Sequence, residues 1–123
     1  MGRSQGGEAD LKVYVRIRPI NSREKAEGAT HSAFEGVSET SITLEGKRQP
    51  YSFNGIFEAG STQEEVYKRC GKQAVDNVFD GFNSTIIAYG QTGAGKSYTM
   101  LGQEDNWDLR LNRGIIPRGT RHL

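Results

Sequence analysis

The most informative segment of this 123-residue sequence is Gly90-Gln91-Thr92-Gly93-Ala94-Gly95-Lys96-Ser97. It fits the phosphate-binding pattern G-x-x-x-x-G-K-[ST]. The run before it, Ser84–Tyr89, is β-branched and apolar without alternation, which is typical of a strand covered on both faces in a parallel sheet. The run after it, Tyr98–Leu101, suits the first turns of a helix. A strand, this loop and a helix, in that order, are the context that the pattern requires.

Each part of the loop has a physical role in holding a nucleoside triphosphate. Backbone N–H groups converge on phosphate only where the chain wraps closely, which Gly90, Gly93 and Gly95 permit because they have no Cβ. The helix that follows directs its free N–H groups and positive dipole end at the same point. Lys96 supplies a mobile cation, and the Ser97 hydroxyl supplies a ligand for Mg²⁺. The loop predicts a nucleoside triphosphate site with Mg²⁺ and does not choose between ATP and GTP.

The residues upstream of the loop predict one long helix. Thr62 and Glu65 have the spacing of a capping box, and apolar residues recur at helical spacing after them. Gly81 marks a C-terminal stop. We therefore expect a helix over Gln63–Phe79 whose apolar stripe packs in the core, with Cys70 as a small buried residue on it.

The first half of the chain predicts short strands. Leu11–Ile17 alternates apolar and polar residues up to Pro19, which is typical of a strand. Asn21–Ser32 is charged and is interpreted as a loop or ragged turn. Short apolar bursts over Ala33–Phe53 predict two or three antiparallel strands. Met1–Asp10 is polar and glycine-rich, and we expect it to be disordered.

Composition argues against other classes of protein. The chain has 16 Lys and Arg against 15 Asp and Glu, and a net charge of +1 argues against a nucleic-acid-coating protein. One cysteine excludes an internal disulfide and a cysteine-cluster zinc site. No apolar run is longer than Ile86–Tyr89, so neither a transmembrane helix nor a signal-peptide core is predicted. We therefore expect an intracellular location and no nucleic-acid or membrane partner.

The sequence FNSTIIAYGQTGAGKSYTM, at Phe82–Met100, resembles the kinesin motor domain very closely. Three further segments match that family in order: Val15–Pro19, Tyr51–Phe57 and Gly114–Arg118. The resemblance covers Leu11–Arg118, and Gln91-Thr92 favours it over a myosin-like interpretation. It implies the ATP-binding part of a microtubule motor, with ATP and Mg²⁺ as cofactors, the microtubule as partner and a cytoplasmic, cytoskeletal location.

The resemblance also implies a role for each matched residue. In kinesins an Arg-x-Arg-Pro motif lies beside the adenine, which places Arg16, Arg18 and Pro19 on the base side. The residue after the loop serine also flanks the base, and here it is Tyr98, whose aromatic face suits stacking. The implied nucleotide-binding set is therefore Arg16, Arg18, Pro19, Tyr98 and the eight loop residues Gly90–Ser97, with Ser97 also the Mg²⁺ ligand.

No residue is assigned a catalytic role. Neither His31 nor His122 has a plausible catalytic constellation beside it, and Trp107 is expected to be a partly exposed aromatic in a variable loop over Gly102–Arg113. The sequence contains neither of the family's switch segments, N-x-x-S-S-R-S-H and D-L-A-G-S-E. We therefore expect this chain to bind Mg·ATP without turnover at a motor's rate.

The C-terminal residues depart from the family pattern. Kinesins continue a helix after the position of Arg118, whereas Gly119 is a poor helix residue. The chain ends at Leu123, before a helix opening at Gly114 is expected to form. The family's sheet neighbours of Ser84–Tyr89 are also missing from the sequence, so we expect this strand to have unpaired edges and an uncovered face.

The expected fold is α/β, a partial P-loop NTPase of the kinesin type with a small antiparallel β lobe and an incomplete central sheet. The expected organisation is a disordered tail over residues 1–10, the N-terminal part of a motor domain over residues 11–118 and a divergent end over residues 119–123. Two alternatives stay open: a non-motor fragment that binds nucleotide or a partner without turnover, and a nonfunctional fragment that does not fold stably.

Overall fold

The computed structural model describes residues 11–30, 32–103 and 110–123. The chain forms two compact units. The first holds the described residues up to residue 16 together with Ile20–Ile56, and the second holds Ile17–Pro19 with Phe57–Leu123. Three of the predictions fall outside the described residues, namely those on Met1–Asp10, His31 and Trp107.

The described strands are short and belong to two sheets. They are β1 (Tyr14–Arg16), β2 (Phe34–Val37), β3 (Ser41–Leu44), β4 (Tyr51–Ser52) and β5 (Gly55–Phe57). β2, β3 and β4 form an antiparallel sheet in that order, in which Ile42 is opposite Val37 on one side and Tyr51 on the other. The side chain of Ile42 is buried, at 5% exposure. The predicted small antiparallel lobe is therefore confirmed.

β1 pairs with β5 in a separate two-stranded sheet. Asn54 anchors the start of this pair, because its side-chain Oδ1 accepts from the Val13 N–H at 2.7 Å and its own N–H donates to the Val13 carbonyl at 2.9 Å. Only the centre of the predicted strand over Leu11–Ile17 is regular. In β5, Ile56 and Phe57 are both buried.

A short helix, α1 (Ser22–Ala26), replaces the loop that the sequence predicts over Asn21–Ser32. It begins with a capping box. The Asn21 side chain accepts from the Glu24 N–H at 2.9 Å, and the Glu24 carboxylate accepts from the Asn21 N–H at 3.0 Å. None of its residues is buried, so the apolar periodicity that reveals most helices is missing here.

The predicted long helix is confirmed, but Cys70 is half-buried and Val78 and Phe79 at the end of the predicted apolar stripe are exposed. It consists of an α-helical start (Gln63–Val66), a π-helical centre (Tyr67–Gly71) and an α-helical end (Lys72–Phe79), which together are called α2. The capping box at its start forms as expected, with the Thr62 N–H donating to the Glu65 carboxylate at 2.7 Å. Hydrogen bonds from the Thr62 backbone and hydroxyl lower the pKa of Glu65.

The π-helical centre of α2 was not predicted. A Cβ at Gly71 would lie 2.5 Å from the Tyr67 ring and 3.2 Å from the Ile115 side chain. This glycine therefore lets another segment of the second unit pack closely on α2. Gly81 ends the helix with a φ of +86°, a left-handed conformation that glycine adopts without strain, as the sequence predicts.

Two short α-helices follow among the described residues of the second unit, α3 (Lys96–Met100) and α4 (Ile115–His122), with a 3₁₀ helix at Arg110–Asn112 between them. α3 is predicted from the sequence. α4 corrects the expectation that no helix forms after Gly114. Pro117 fits within its first turn, where the missing N–H costs little. Gly119 is buried, and a Cβ there would lie 3.4 Å from the Val75 side chain, so its small size serves close packing on α2.

The segment before the phosphate loop is not a paired strand. Residues 82–90 form no β-ladder within the described part of the chain, so Ser84–Tyr89 is an extended segment and not a strand of a sheet. The unpaired edges expected for it are present. Exposure alternates along the segment as in an extended backbone, and Ile87 and Tyr89 are 82% and 98% exposed.

None of the described helices is both long and apolar enough to cross a membrane.

Candidate functional site

The loop at Gly90–Ser97 has a backbone that only glycine adopts readily at two positions. Gly93 has a φ of +83° and Gly95 a φ of +100°, both in the left-handed region. Between them, the Ala94 N–H donates to the Gln91 carbonyl at 3.0 Å and closes a tight turn. Gly93 and Gly95 thus carry the curvature of the loop; Gly95 is a fixed position of the pattern, and Gly93 lies between its fixed glycines.

Within Gly93–Ser97, four of the five backbone N–H donors have no hydrogen-bond partner in the described part of the chain. The N–H groups of Gly93, Gly95, Lys96 and Ser97 make no hydrogen bond within the described residues. Gly93 and Ser97 are exposed, and Gly95 and Lys96 are half-buried, so the donors lie at or near the surface. Successive N–H groups in such a turn, followed by a helix N-terminus, form a concavity that favours negative charge. The loop can therefore surround a phosphate group.

The Lys96 side chain turns back across this loop. Its Nζ donates to the Gly90 carbonyl at 2.5 Å, which joins the first and seventh residues of the motif. A Cβ at Gly90 would lie 2.9 Å from the Ala94 Cβ, so the missing side chain is what allows this closure. The ammonium keeps two further protons with which it can bind phosphate oxygens.

The Ser97 hydroxyl is the metal-ligating group predicted from the sequence, and it lies in the first turn of α3 on an exposed residue. No group of three or more His, Cys, Asp or Glu that could hold a metal occurs among the described residues. Mg²⁺ prefers oxygen ligands and keeps several waters, often binding through few protein groups together with substrate phosphates. One hydroxyl beside a phosphate cradle fits that chemistry.

Gln63 is a buried residue that binds α3, and it was not predicted from the sequence. Its side chain is 3% exposed, and its Nε2 donates to the Tyr98 carbonyl at 2.6 Å and to the Asn112 carbonyl at 3.3 Å. A glutamine in the first turn of a helix usually faces solvent. Only the packed structure reveals that this one is buried against α3.

The chain returns to the end of α3 after residues 104–109. Gly102 and Arg113 form an antiparallel bridge, and the Gly114 N–H donates to the Leu101 carbonyl at 3.0 Å. Arg118 holds the returning segment, because its Nε donates to the Arg113 carbonyl at 2.8 Å and its Nη2 donates to the Arg110 carbonyl at 2.7 Å. Arg118 thus stabilises the local fold of this part of the second unit.

The predicted base-side residues are distributed over both units. Arg16 ends β1 in the first unit, whereas Arg18 and Pro19 belong to the second unit with the loop. The Arg18 Nη1 donates to the carbonyl of its neighbour Pro19 at 3.1 Å. Tyr98 lies in α3 and is 41% exposed. The base-side role of these four residues stays a prediction.

The His122 side chain packs against residues of α2. Its Nδ1 lies 2.8 Å from the Tyr67 hydroxyl, and its ring contacts the rings of Tyr67 and Phe79. Its Nε2 is 3.6 Å from the Asp76 carboxylate. Burial is the main cause that raises the pKa of Tyr67. These contacts join α4 to α2.

Comparisons with known proteins give consistent matches. A family model described as kinesin motor domain matches residues 16–123. The chain is 39% identical over 117 residues to kinesin-like protein KIF21B of Mus musculus, covering 95% of this chain and 7% of that protein. It is 43% identical over 114 residues to kinesin-like protein klp-19 of Caenorhabditis elegans, covering 90% of this chain and 10% of that protein.

A solved structure of a fast kinesin is similar to this chain. Its description concerns the ATPase mechanism of that kinesin and its interactions with microtubules. The TM-score is 0.81 at 34% identity, with 91% of this chain and 31% of that chain covered. The chain spans 7–10% of the length of the two curated relatives given above.

Proposed function

This chain belongs to the kinesin motor domain family, and from that premise we propose that its phosphate loop binds ATP with Mg²⁺. The observation that carries the proposal is the set of four unpaired N–H groups in Gly93–Ser97 beside the Lys96 ammonium. Several donors and a cation directed at one accessible point suit a polyphosphate.

Each residue of the proposed site has a distinct task. The loop amides and the Lys96 ammonium bind the phosphate oxygens, and the Ser97 hydroxyl ligates Mg²⁺. Mg²⁺, when bound, neutralises part of the phosphate charge. The family resemblance assigns Arg18, Pro19 and Tyr98 to the base side, where guanidinium and aromatic planes can stack on a purine, and it assigns the same role to Arg16. The proposed motor-domain portion is residues 11–118.

A thermal melt tests whether the chain binds Mg·ATP. A ligand that binds only the folded state stabilises it by about 2.7 kcal/mol at a hundred times its dissociation constant. We expect the unfolding midpoint to rise with Mg·ATP concentration, and to rise less when EDTA removes the metal. A midpoint that does not move at millimolar Mg·ATP would contradict the proposed function.

We expect the chain to bind ATP without hydrolysing it at a motor's rate. Phosphoryl transfer depends on positioning and charge stabilisation, and this sequence holds the phosphate cradle but neither family switch segment. Steady-state phosphate release by the purified chain should therefore equal that of the Lys96→Ala variant. Release that is stimulated by microtubules and disappears in the variant would contradict this prediction and favour a working ATPase over the non-motor alternative.

The proposed partner is the microtubule, in the cytoplasm, and we expect its binding by this chain to be weak and salt-sensitive. The net charge is only +1, although Arg110, Arg113, Arg118 and Arg121 form a basic C-terminal cluster. Attraction between exposed charges is screened over about 8 Å at physiological salt. Co-sedimentation with microtubules should be detectable at low ionic strength and lost at about 0.15 M salt. Salt-resistant pelleting that responds to nucleotide would overturn this expectation.

A further inference from the structure

We propose that Gln63 is a positioning residue for the nucleotide site, because its side-chain amide holds α3 in the conformation that presents Lys96 and Ser97 to phosphate. The inference rests on the proposed nucleotide-binding function. It adds to that function a residue that lies outside the phosphate loop, at the start of α2.

α3 cannot hold its own conformation. It has only five residues, Lys96–Met100, and isolated helices shorter than about 12 residues are marginal in water. The last four carbonyls of any helix lack partners within the helix, and the carbonyl of Tyr98 is in that group. The N-terminal residue Gly95 contributes no side-chain cap. The stability of α3 must therefore come from contacts with other segments.

The Gln63 amide is such a contact. One nitrogen, Nε2, donates to the Tyr98 carbonyl at 2.6 Å and to the Asn112 carbonyl at 3.3 Å. The first acceptor lies in α3, and the second lies in the segment that returns to its end. One buried amide, 3% exposed, therefore ties two separate segments to α2. The capping box at Thr62 and Glu65 fixes the turn that carries it.

A displacement of the Tyr98 backbone would also displace Ser97 and Lys96, because these two residues directly precede it in the chain. Without the amide, the Tyr98 carbonyl would lose this donor and face a buried apolar side chain, whereas the Asn112 carbonyl would still accept from the Gln103 N–H at 3.3 Å. An unpaired buried acceptor costs enough to change an equilibrium by about tenfold or more. We therefore expect α3 to open locally more often, and phosphate binding to weaken with it.

The test compares Gln63→Leu with the matched variant Gln73→Leu in the full chain. Gln73 is an exposed residue of the same helix, and its amide donates to the Asn77 side chain at 3.0 Å. We expect Gln63→Leu to weaken Mg·ATP binding about tenfold and to speed amide exchange at Tyr98–Leu101 without nucleotide. Gln73→Leu should change neither quantity.

A second variant, Gln63→Glu, separates positioning from general destabilisation. The ionised carboxylate cannot donate to the two carbonyls, whereas the protonated carboxyl can donate to one. The affinity of this variant relative to the unmodified chain should therefore recover as the pH falls from 8 to 5. If Gln63→Leu does not fold, this pH series decides the question in its place.

Three outcomes would overturn the role of Gln63. They are an unchanged exchange rate at Tyr98–Leu101 in Gln63→Leu, an equal loss of affinity in Gln73→Leu, and a relative affinity of Gln63→Glu that does not depend on pH. If the unmodified chain does not bind Mg·ATP, the proposed function fails, and the exchange rates alone then decide whether Gln63 holds α3.

Discussion

Replacing Lys96 by alanine should weaken Mg·ATP binding by about a hundredfold, or roughly 3 kcal/mol, because it removes a charge-assisted hydrogen-bond donor from a polyanion. The loop would also lose the bond from Lys96 to the Gly90 carbonyl, which closes it in the absence of ligand. Equilibrium titration with a fluorescent ATP analogue measures the affinity directly.

The matched control for this variant is Lys72→Ala. Lys72 lies on α2 and pairs with Asp76 at 2.6 Å, so its removal changes the net charge equally without touching the phosphate loop. Its affinity for the analogue should stay within about twofold of the unmodified chain. Equal affinities of Lys96→Ala and the unmodified chain would show that the nucleotide binds elsewhere.

Replacing Gly102 by alanine should destabilise the second unit by about 4 kcal/mol or more, which is an exceptional effect for one methyl group. Gly102 has a φ of +100°, and a Cβ there would clash with the Asn112 carbonyl oxygen and lie 2.8 Å from the Gly114 nitrogen. Both neighbours are backbone, so neither can rotate away. Urea unfolding followed by circular dichroism measures the loss in the free energy of unfolding.

Gly81→Ala is the control that isolates the steric part of this effect. Gly81 has a similar φ of +86°, but a Cβ there would meet nothing within 4 Å. Its replacement should cost only the left-handed backbone conformation, about 1–2 kcal/mol. If both variants lost the same free energy of unfolding, the backbone at the bridge between Gly102 and Arg113 would have moved to accommodate the methyl group.

The sequence predicted the elements whose signals are local. The capping box at Thr62 and Glu65, the apolar repeat after it and the stop at Gly81 define α2 without reference to any other segment. The phosphate loop is similarly local, because its curvature depends on Gly93 and Gly95 themselves. These predictions needed no knowledge of tertiary contacts.

The features that the sequence did not predict depend on packing. Gly119 lowers helix propensity, yet α4 forms because the glycine lets it approach Val75 on α2. The burial of Gln63 depends on where α3 lies. At Ser84–Tyr89 the local propensity favours a strand, yet no strand is paired there because no described strand provides hydrogen-bonding partners.

The open edges of Ser84–Tyr89 also bear on the tendency of this chain to associate with itself. The segment has six residues without charge, proline or glycine, and its Ile87 and Tyr89 side chains face solvent. Short segments of this composition are the ones from which intermolecular cross-β assemblies nucleate. We therefore expect intermolecular association of the purified chain, where it occurs, to start at this segment.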